Sequence, residues 1–361
     1  MFKLERRPTP SKAMVILTPV LAVVLTMIAG GILFSFLGKN PFEAIRIIFW
    51  DPLFNEVVAS YTRPQLLIKA APLITIALGL SFGYRANIWN IGAEGQFIMG
   101  AISGGAVGLA FYPTESVLIF PLMILAGAVG GFLWAMIPAF LKIKFNANEI
   151  LVSLMLVYVA INFLGAMVTG PLRSPVGMNF PVSRNFNEYP SAYNGELIAN
   201  TGLHMGVLAT LGIVIVAYIL LKHHIFGFQV RTAGQSPRAA KFSGVNPNIT
   251  VAICLGISGG LAGMAGLFEV TGPAGKLSTN FPLGYGFTAI IVAFLGRLNP
   301  IGILLAGLLM ALTYIGGELA QFQLSVPAAS VQVFQGMLLF FMLAVDILVN
   351  FRIQLARKEV V

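Results

Sequence analysis

Long apolar runs alternate with short polar segments along almost the whole chain. A helix needs about 20 mostly apolar residues to cross the hydrocarbon core of a bilayer. Runs of this kind lie near residues 13–37, 64–84, 93–112, 117–141, 149–170, 203–222, 249–271, 284–298, 300–320 and 333–351. Backbone groups in lipid must be paired within the segment, and the runs lack the period-two alternation of a barrel strand. The pattern predicts an all-α fold, a polytopic membrane helix bundle of about ten transmembrane helices.

Composition supports a lipid environment. Apolar residues make up 57% of the chain and charged residues 10%, with a mean hydropathy of +0.88, whereas soluble domains carry about 25% charged residues. The chain therefore has too few polar side chains to cover a soluble globule. Its single cysteine, Cys254, lies in an apolar run, so we expect a buried small side chain rather than an intrachain disulfide.

The net charge of +9 lies mainly at the ends of the apolar runs, which indicates membrane orientation rather than nucleic-acid binding. Residues 1–12 are basic, and the following run is too long for a signal-peptide core. With the N-terminus inside, ten crossings also place the C-terminus in the cytoplasm. Fifteen of the 22 Lys and Arg residues then lie inside and six outside, and Lys69 lies within a helix.

Polar segments separate the helices at 38–63 and 171–202, predicted outside, and at 222–248, predicted inside. None is long enough to form a soluble domain. We therefore predict a single transmembrane domain over residues 1–361, whose first helix, 13–37, is peripheral.

The first segment with candidate functional residues is 84–96, which places two Asn, a Glu, a Gln and two Gly between apolar runs. A charged residue near the bilayer centre costs about 2.5–3.5 kcal/mol on insertion scales. Glu94 therefore needs a partner, a wet cavity or an interfacial position. An ordinary cytoplasmic turn is one interpretation, and we favour a broken-helix element that lines a translocation path. The candidate path residues here are Asn87, Trp89, Asn90, Glu94 and Gln96.

A second segment of this style spans 282–300, where Gly and aromatic residues precede a short apolar stretch that Gly, Arg, Asn and Pro then interrupt. Tyr285 and Phe287 join the candidate path residues. Broken apolar runs in the two halves, 64–170 and 203–351, predict an internal repeat with a site between the halves.

The segment 222–248 predicts a short amphipathic helix. Ser236 can cap it, Pro237 suits its first position, and Gly244 can end it. Small residues such as Gly234 and Ala240 permit close approach, so the helix is suited to a groove in a partner. A solvated connecting helix is the alternative.

The glycine-rich run 256–266 has small residues four apart, which favours close helix packing. Intramembrane ionisable residues are Lys69, Glu269, Glu318 and Asp346, which are candidates for proton transfer or, more simply, for pairing near helix ends. The histidines show no metal-ligand spacing, and no glycine-rich phosphate loop followed by Lys and Ser or Thr is present. We expect no catalytic residues, metal site or bound cofactor.

These segments together resemble the permease subunits of bacterial ATP-binding cassette (ABC) importers of the ribose, galactoside and branched-chain amino acid class. The nearest branch is the nucleoside and simple-sugar type. The resemblance covers most of the chain from about residue 64. It is carried by Asn90-Ile91-Gly92-Ala93-Glu94-Gly95-Gln96, by 231–244, by 258–266, and by Gly284-Tyr285-Gly286-Phe287 through Gly296-Arg297-Leu298-Asn299-Pro300-Ile301-Gly302.

The resemblance implies a heteromeric importer in the bacterial inner membrane. An extracytoplasmic binding lipoprotein delivers solute, this chain and a second, related permease form the path, and a cytoplasmic ABC ATPase hydrolyses ATP and drives alternating access. Residues 235–246 would form the coupling helix, and 87–96 would line the path. The Asn-Ile-Gly-Ala-Glu-Gly-Gln sequence, where sugar permeases of the class have a Gly-Ile-Asp-Leu-Ser type, favours nucleosides.

Simple sugars remain an alternative solute. A secondary transporter driven by an ion gradient, with Glu94 or Glu269 as its proton or cation site, is an alternative mechanism. An intramembrane enzyme is not expected, because the chain lacks a His/Asp metal set and a plausible Ser–His arrangement. The sequence leaves open which solute is carried and whether the two permeases are identical.

Overall fold

The computed structural model describes residues 2–7 and 11–355. Most of these residues are helical, and the two short strands pair antiparallel. The helices are α1 Lys12–Phe36, α2 Pro41–Phe49, α3 Asp51–Phe54, α4 Glu56–Arg85, α5 Ala93–Ala110, α6 Ile119–Phe145, α7 Glu149–Thr169, α8 Met205–Lys222, α9 Ile225–Gln235, α10 Pro237–Phe242, α11 Pro247–Thr271, α12 Tyr285–Leu295, α13 Pro300–Leu324 and α14 Ala328–Asn350. The strands are β1 Phe2–Arg6 and β2 Phe351–Leu355.

The predicted polytopic helix bundle is confirmed, because each of the ten predicted runs coincides with a helix. Eight helices within the described residues are long and apolar enough to cross a membrane. The other two predicted crossings are α5, whose 18 residues include Glu94 and Gln96, and α12, which has only 11 residues. At 1.5 Å per residue α12 is about 16 Å long, half of a hydrocarbon core of about 30 Å.

The sequence-based prediction assigned no helix to the polar segment 38–63, but the structure has helices there. These residues contain α2, α3 and the start of α4. The Asn40 side chain caps α2 by accepting hydrogen bonds from the backbone of Phe42 and Glu43, and Ala44, Ile47 and Ile48 bury its apolar face. A search for membrane crossings does not detect an amphipathic helix of only nine residues. The 11-residue α9 was missed for the same reason.

The chain divides into two compact units. The first comprises the residues up to Arg63 and those from Leu312 onward. In it α1 packs against α14, and Gly30 makes the contact close: a Cβ there would lie 2.3 Å from the Phe334 ring. Phe34, Ile48 and Phe334 are central members of its apolar core. The predicted peripheral helix, 13–37, corresponds to α1 of this unit.

The second unit, Pro64–Ala311, is built around α4, α5, α6 and α11. Its helices approach each other backbone to backbone: a Cβ on Gly131 would lie 2.1 Å from the carbonyl oxygen of Gly259, and one on Gly100 would lie 2.1 Å from the Cα of Gly263. Lipid supplies no hydrophobic drive between helices, so such close packing holds them together. The packing role predicted for the glycines of 256–266 is confirmed for Gly259 and Gly263.

The second unit has two ends. At one end the long loop 171–204 pairs with the segment after α11, where the backbone N–H of Ser183 donates to the carbonyl of Leu277 and that of Phe186 to Gly275. We call this the loop end. The opposite end carries α9 and α10, together with the last residue of α4 and the turn after α12. We call it the α10 end.

Candidate translocation path and coupling surface

The chain turns between α4 and α5 inside the protein. The turn begins after Arg85, passes through Asn87 with φ of 57°, and includes the buried residues Ile88 and Asn90. Asn90 contacts Ser258, the twelfth residue of the 25-residue α11. The turn therefore lies level with the middle of a membrane-length helix, which fits the predicted broken-helix element better than a surface turn.

A closed amide network holds this turn. The Asn90 Nδ2 donates to Oε1 of Gln96 and to Oγ of Ser258, both at 2.9 Å. In return the Gln96 Nε2 donates to Asn90 Oδ1 at 3.2 Å, and the backbone N–H of Gly92 donates to the same oxygen at 3.0 Å. Both amides are buried, and buried polar groups are costly unless paired. The network therefore fixes the turn to α5 and α11 at once.

Glu94 joins the two interrupted segments. Its carboxylate accepts hydrogen bonds from the backbone N–H of Gly284 at 3.0 Å and of Gly286 at 2.5 Å, at the start of α12. Glu94 itself stands in the first turn of α5, so two helix N-termini face one carboxylate. Each N-terminus carries a partial positive charge. This arrangement explains how a buried charge is tolerated among apolar helices.

Glycine is required on the α12 side of this junction. A Cβ on Gly286 would lie 2.2 Å from the backbone nitrogen of Glu94, so only glycine allows the two backbones to meet. Gly284 has φ of 78°, in the left-handed region that glycine adopts readily. These two positions let the chain turn from the loop end into the half-length helix α12.

Aromatic rings surround the junction. Phe97 stacks on Phe281 with centroids 5.2 Å apart, and the ring of the fully buried Tyr285 meets Phe97 edge-on at 6.0 Å. Nearer the α10 end, Trp89 stacks on Phe294 at 5.7 Å. Trp89 and Phe287 each remain 40% exposed, so both keep a ring surface that a solute can contact.

At the α10 end, the turn between α4 and α5 is connected to the surface helices α9 and α10. A Cβ on Gly234 would lie 2.2 Å from the carbonyl oxygen of Arg85, so α9 packs directly on the end of α4. The Arg85 guanidinium donates to the carbonyl oxygen of Leu298 through Nε at 3.1 Å and Nη2 at 2.8 Å. Displacement of α9 would therefore act on Arg85, which lies at the end of α4 before the turn into α5 and bonds to Leu298 after α12.

The predicted short helix is present as α10, with bounds close to those expected. The Ser236 hydroxyl accepts from the backbone N–H of Ala239 at 3.2 Å, and Pro237 occupies the first turn. Ala240 is buried, and Gly244 ends the helix with φ of 79°. The residues chosen from the sequence therefore shape α10 and seat it on the protein.

The comparisons with known proteins decide the family. Residues 63–343 match the family described as the permease component of branched-chain amino acid transport systems. The chain belongs to this family. The permease is thus a multi-pass membrane transport subunit, as the resemblance implied.

Relatives of the permease extend along nearly its full length. It is 32% identical to a glucose ABC transporter permease protein of Haloferax volcanii, over 94% of this chain and 90% of the relative. It is 25% identical to a guanosine ABC transporter permease protein of Bacillus subtilis, over 90% and 92%. A nucleoside ABC transporter permease protein of Lactococcus lactis is 26% identical, over 92% and 91%. No solved structure matches the permease.

The structure brings together the two segments that carry the predicted path residues of the permease. Asn90, Glu94, Gln96 and Tyr285 are buried and hold the junction, whereas Asn87, Trp89 and Phe287 present exposed surface. Sequence reasoning missed the exposed face of α10. The exposed residues of α10 are Pro237, Arg238, Ala239, Lys241 and Phe242, and its large exposed side chains are those of Arg238, Lys241 and Phe242. Phe242 is 95% exposed. Its position in the sequence could have predicted this exposure, because α10 is very short and the burial of Ala240 leaves the neighbouring residues facing outward.

Proposed function

We propose that this permease forms, with a second permease subunit, the path of an ABC importer for nucleosides. The single observation that carries the proposal is the bond between Glu94 and the start of α12. A half-length helix whose N-terminus meets a broken helix at mid-depth is an arrangement that membrane transporters use for a solute site. The guanosine and nucleoside relatives support the solute class.

Asn87, Trp89 and Phe287 are proposed to contact the solute, since each presents exposed surface beside the junction. Flat aromatic faces suit the stacking of a nucleobase. Asn90, Glu94, Gln96 and Tyr285 are proposed to shape the path from behind through the network and the aromatic contacts described above.

The partner ATPase is proposed to dock on α10 and to hydrolyse the ATP. The segment 222–248 contains Lys, Arg and His but no Asp or Glu, so a groove with acidic residues would complement it. Gly234, Ser236, Pro237, Ala240 and Gly244 are proposed to keep α10 in the position that transmits the movement of the ATPase.

We also propose an extracytoplasmic binding lipoprotein as the partner that delivers the solute. The proposed location is the bacterial plasma (inner) membrane, and the distribution of Lys and Arg favours an orientation with both chain ends in the cytoplasm. Arg357 and Lys358, which contribute to that assignment, lie outside the described residues.

Simple sugars are the second candidate, because the glucose permease relative is 32% identical. Competition for uptake distinguishes the two. In vesicles that contain the full importer, an excess of unlabelled adenosine or guanosine is expected to suppress uptake of a labelled nucleoside, whereas glucose and leucine leave it unchanged. Uptake of labelled glucose, with no uptake of the labelled nucleoside, would instead support the sugar assignment.

A further inference from the structure

An apolar groove between α6 and α11 opens on the surface of the second unit. Its volume is about 480 Å³, and every residue that lines it is apolar. Both helices are long and apolar enough to cross a membrane, so the groove opens at membrane depth and suits an apolar ligand. Its walls include Ala128, Phe132 and Met136 of α6 and Ala252, Gly256 and Gly260 of α11.

The length of the groove matches one leaflet of a bilayer. Along α11 the lining extends from Ala252 to Met264, which is about 18 Å at 1.5 Å per residue. The hydrocarbon of one leaflet is about 15 Å thick, half of a core of about 30 Å. Because α11 begins at Pro247, just after α10, the groove starts about 8 Å from the α10 end of the helix. It therefore lies mainly in the half of the membrane nearest the α10 end.

A partner helix fits this groove poorly. Ala252, Gly256 and Gly260 stand four residues apart, a spacing at which small residues let two membrane helices approach closely. Here the Phe132 ring covers the middle glycine, because a Cβ on Gly256 would lie 2.3 Å from that ring. Phe132 is itself 41% exposed, so its ring also faces the groove. A flexible acyl chain can pass beside this ring, whereas the backbone of a helix cannot reach Gly256.

The two helices run antiparallel along the groove. A Cβ on Gly263 would lie 2.3 Å from the carbonyl oxygen of Gly127, and one on Gly131 would lie 2.1 Å from that of Gly259. The last turn of α6 therefore lies beside the start of α11, at the α10 end. The headgroup of a lipid whose chain fills the groove would lie at this level.

The last turn of α6 carries positive charge at that level, on Lys142 and Lys144. Lys142 is paired with Glu149 at 2.6 Å. Lys144 is exposed, and its side chain forms no ion pair within residues 2–7 and 11–355. Lysine side chains at this depth attract anionic lipid headgroups, so the charge beside the groove complements a negatively charged phospholipid.

We propose that the groove binds an acyl chain of an anionic phospholipid from the leaflet at the α10 end, and that Lys144 binds the headgroup. The site is separate from the proposed translocation path and does not depend on the proposed solute. Ser258, which accepts a hydrogen bond from Asn90, lies on α11 between the lining residues Ile257 and Gly260. The bound chain therefore packs on the helix that anchors the turn between α4 and α5.

Lipid retention by the detergent-purified importer tests the site, with phosphatidylglycerol added as the probe and bound lipid counted by native mass spectrometry. Gly260→Leu places a side chain in the middle of the groove, where an added Cβ meets no listed neighbour closer than the Ala128 carbonyl oxygen at 3.6 Å. This variant is expected to retain about tenfold less phosphatidylglycerol, because the acyl chain loses its packing contacts there. Lys144→Gln is expected to bind phosphatidylglycerol no better than phosphatidylcholine, and its exposed position keeps the test valid if Gly260→Leu folds poorly.

Gly165→Leu is the matched control for the added side chain. Gly165 lies in α7, where an added Cβ would meet no other segment within 4 Å, so this variant should retain as much lipid as the wild type. Equal retention by Gly260→Leu and the wild type would overturn the proposal. Loss of the second permease from the purified Gly260→Leu importer, with lipid retention unchanged, would also overturn it and would assign the groove to that partner.

Discussion

Replacing Glu94 by glutamine is expected to reduce uptake at least about tenfold. The carboxylate accepts two backbone hydrogen bonds from the start of α12, and hydrogen bonds to a charged group contribute about 1.5–3 kcal/mol each. A glutamine amide offers one oxygen and turns its NH₂ group toward the second backbone donor. The loss of about 2–4 kcal/mol in total would detach the α12 N-terminus in most molecules. Radiolabelled uptake by the reconstituted importer measures the effect.

Glu56→Gln is the control for Glu94→Gln. Glu56 is exposed in the first turn of α4, so the same chemical change there should leave uptake intact. Glu94→Asp keeps the charge but shortens the side chain, and its uptake should lie between those of the wild type and the glutamine variant. Wild-type uptake kinetics in Glu94→Gln would remove the junction from the path.

Replacing Gly244 by valine is expected to uncouple ATP hydrolysis from uptake. Gly244 has φ of 79°, where a β-branched residue is strained by about 1–3 kcal/mol. The helix that it ends has only six residues and has little stability of its own. Uptake should fall about tenfold while the ATPase continues to hydrolyse ATP without a response to solute. Pro237→Ala, which loosens the other end of α10, should act in the same direction and more weakly.

Gly212→Val controls for the added bulk. Gly212 lies within α8 and has no positive φ, and a Cβ added there would meet no atom of another described segment within 4 Å. Its replacement should preserve solute-stimulated ATPase activity. If Gly244→Val and Pro237→Ala also preserve that stimulation, α10 is not the docking site of the ATPase.

The sequence predicted the membrane helices well because hydropathy over about 20 residues depends only on local composition. Helices shorter than a membrane crossing were not detected in this way. The start of α2 carried a usable signal, since Asn40 and Glu43 stand at capping positions, but its nine residues include only three buried ones. Local patterning also identified α10, through its cap and its terminal glycine.

Contacts between distant segments could not be predicted in the same way. Composition marked both 84–96 and 282–300 as interrupted runs, but it did not indicate that Glu94 would bond to Gly284 and Gly286, which are 190 and 192 residues away. The approach of Lys69 to Tyr285 was hidden for the same reason. Such pairings depend on how α4, α5 and α12 pack, and the spacing of residues in one sequence does not encode that packing.

The most direct test of the proposed ABC importer is to determine which energy source drives uptake. Vesicles containing this permease, its partner permease and the ATPase, with the binding lipoprotein outside, should accumulate labelled nucleoside when ATP is enclosed. They should not do so when a non-hydrolysable ATP analogue or a sodium or proton gradient replaces ATP. Accumulation driven by a gradient in vesicles that contain this chain without the ATPase would contradict the account, and would assign Glu94 or Glu269 to an ion-coupled mechanism.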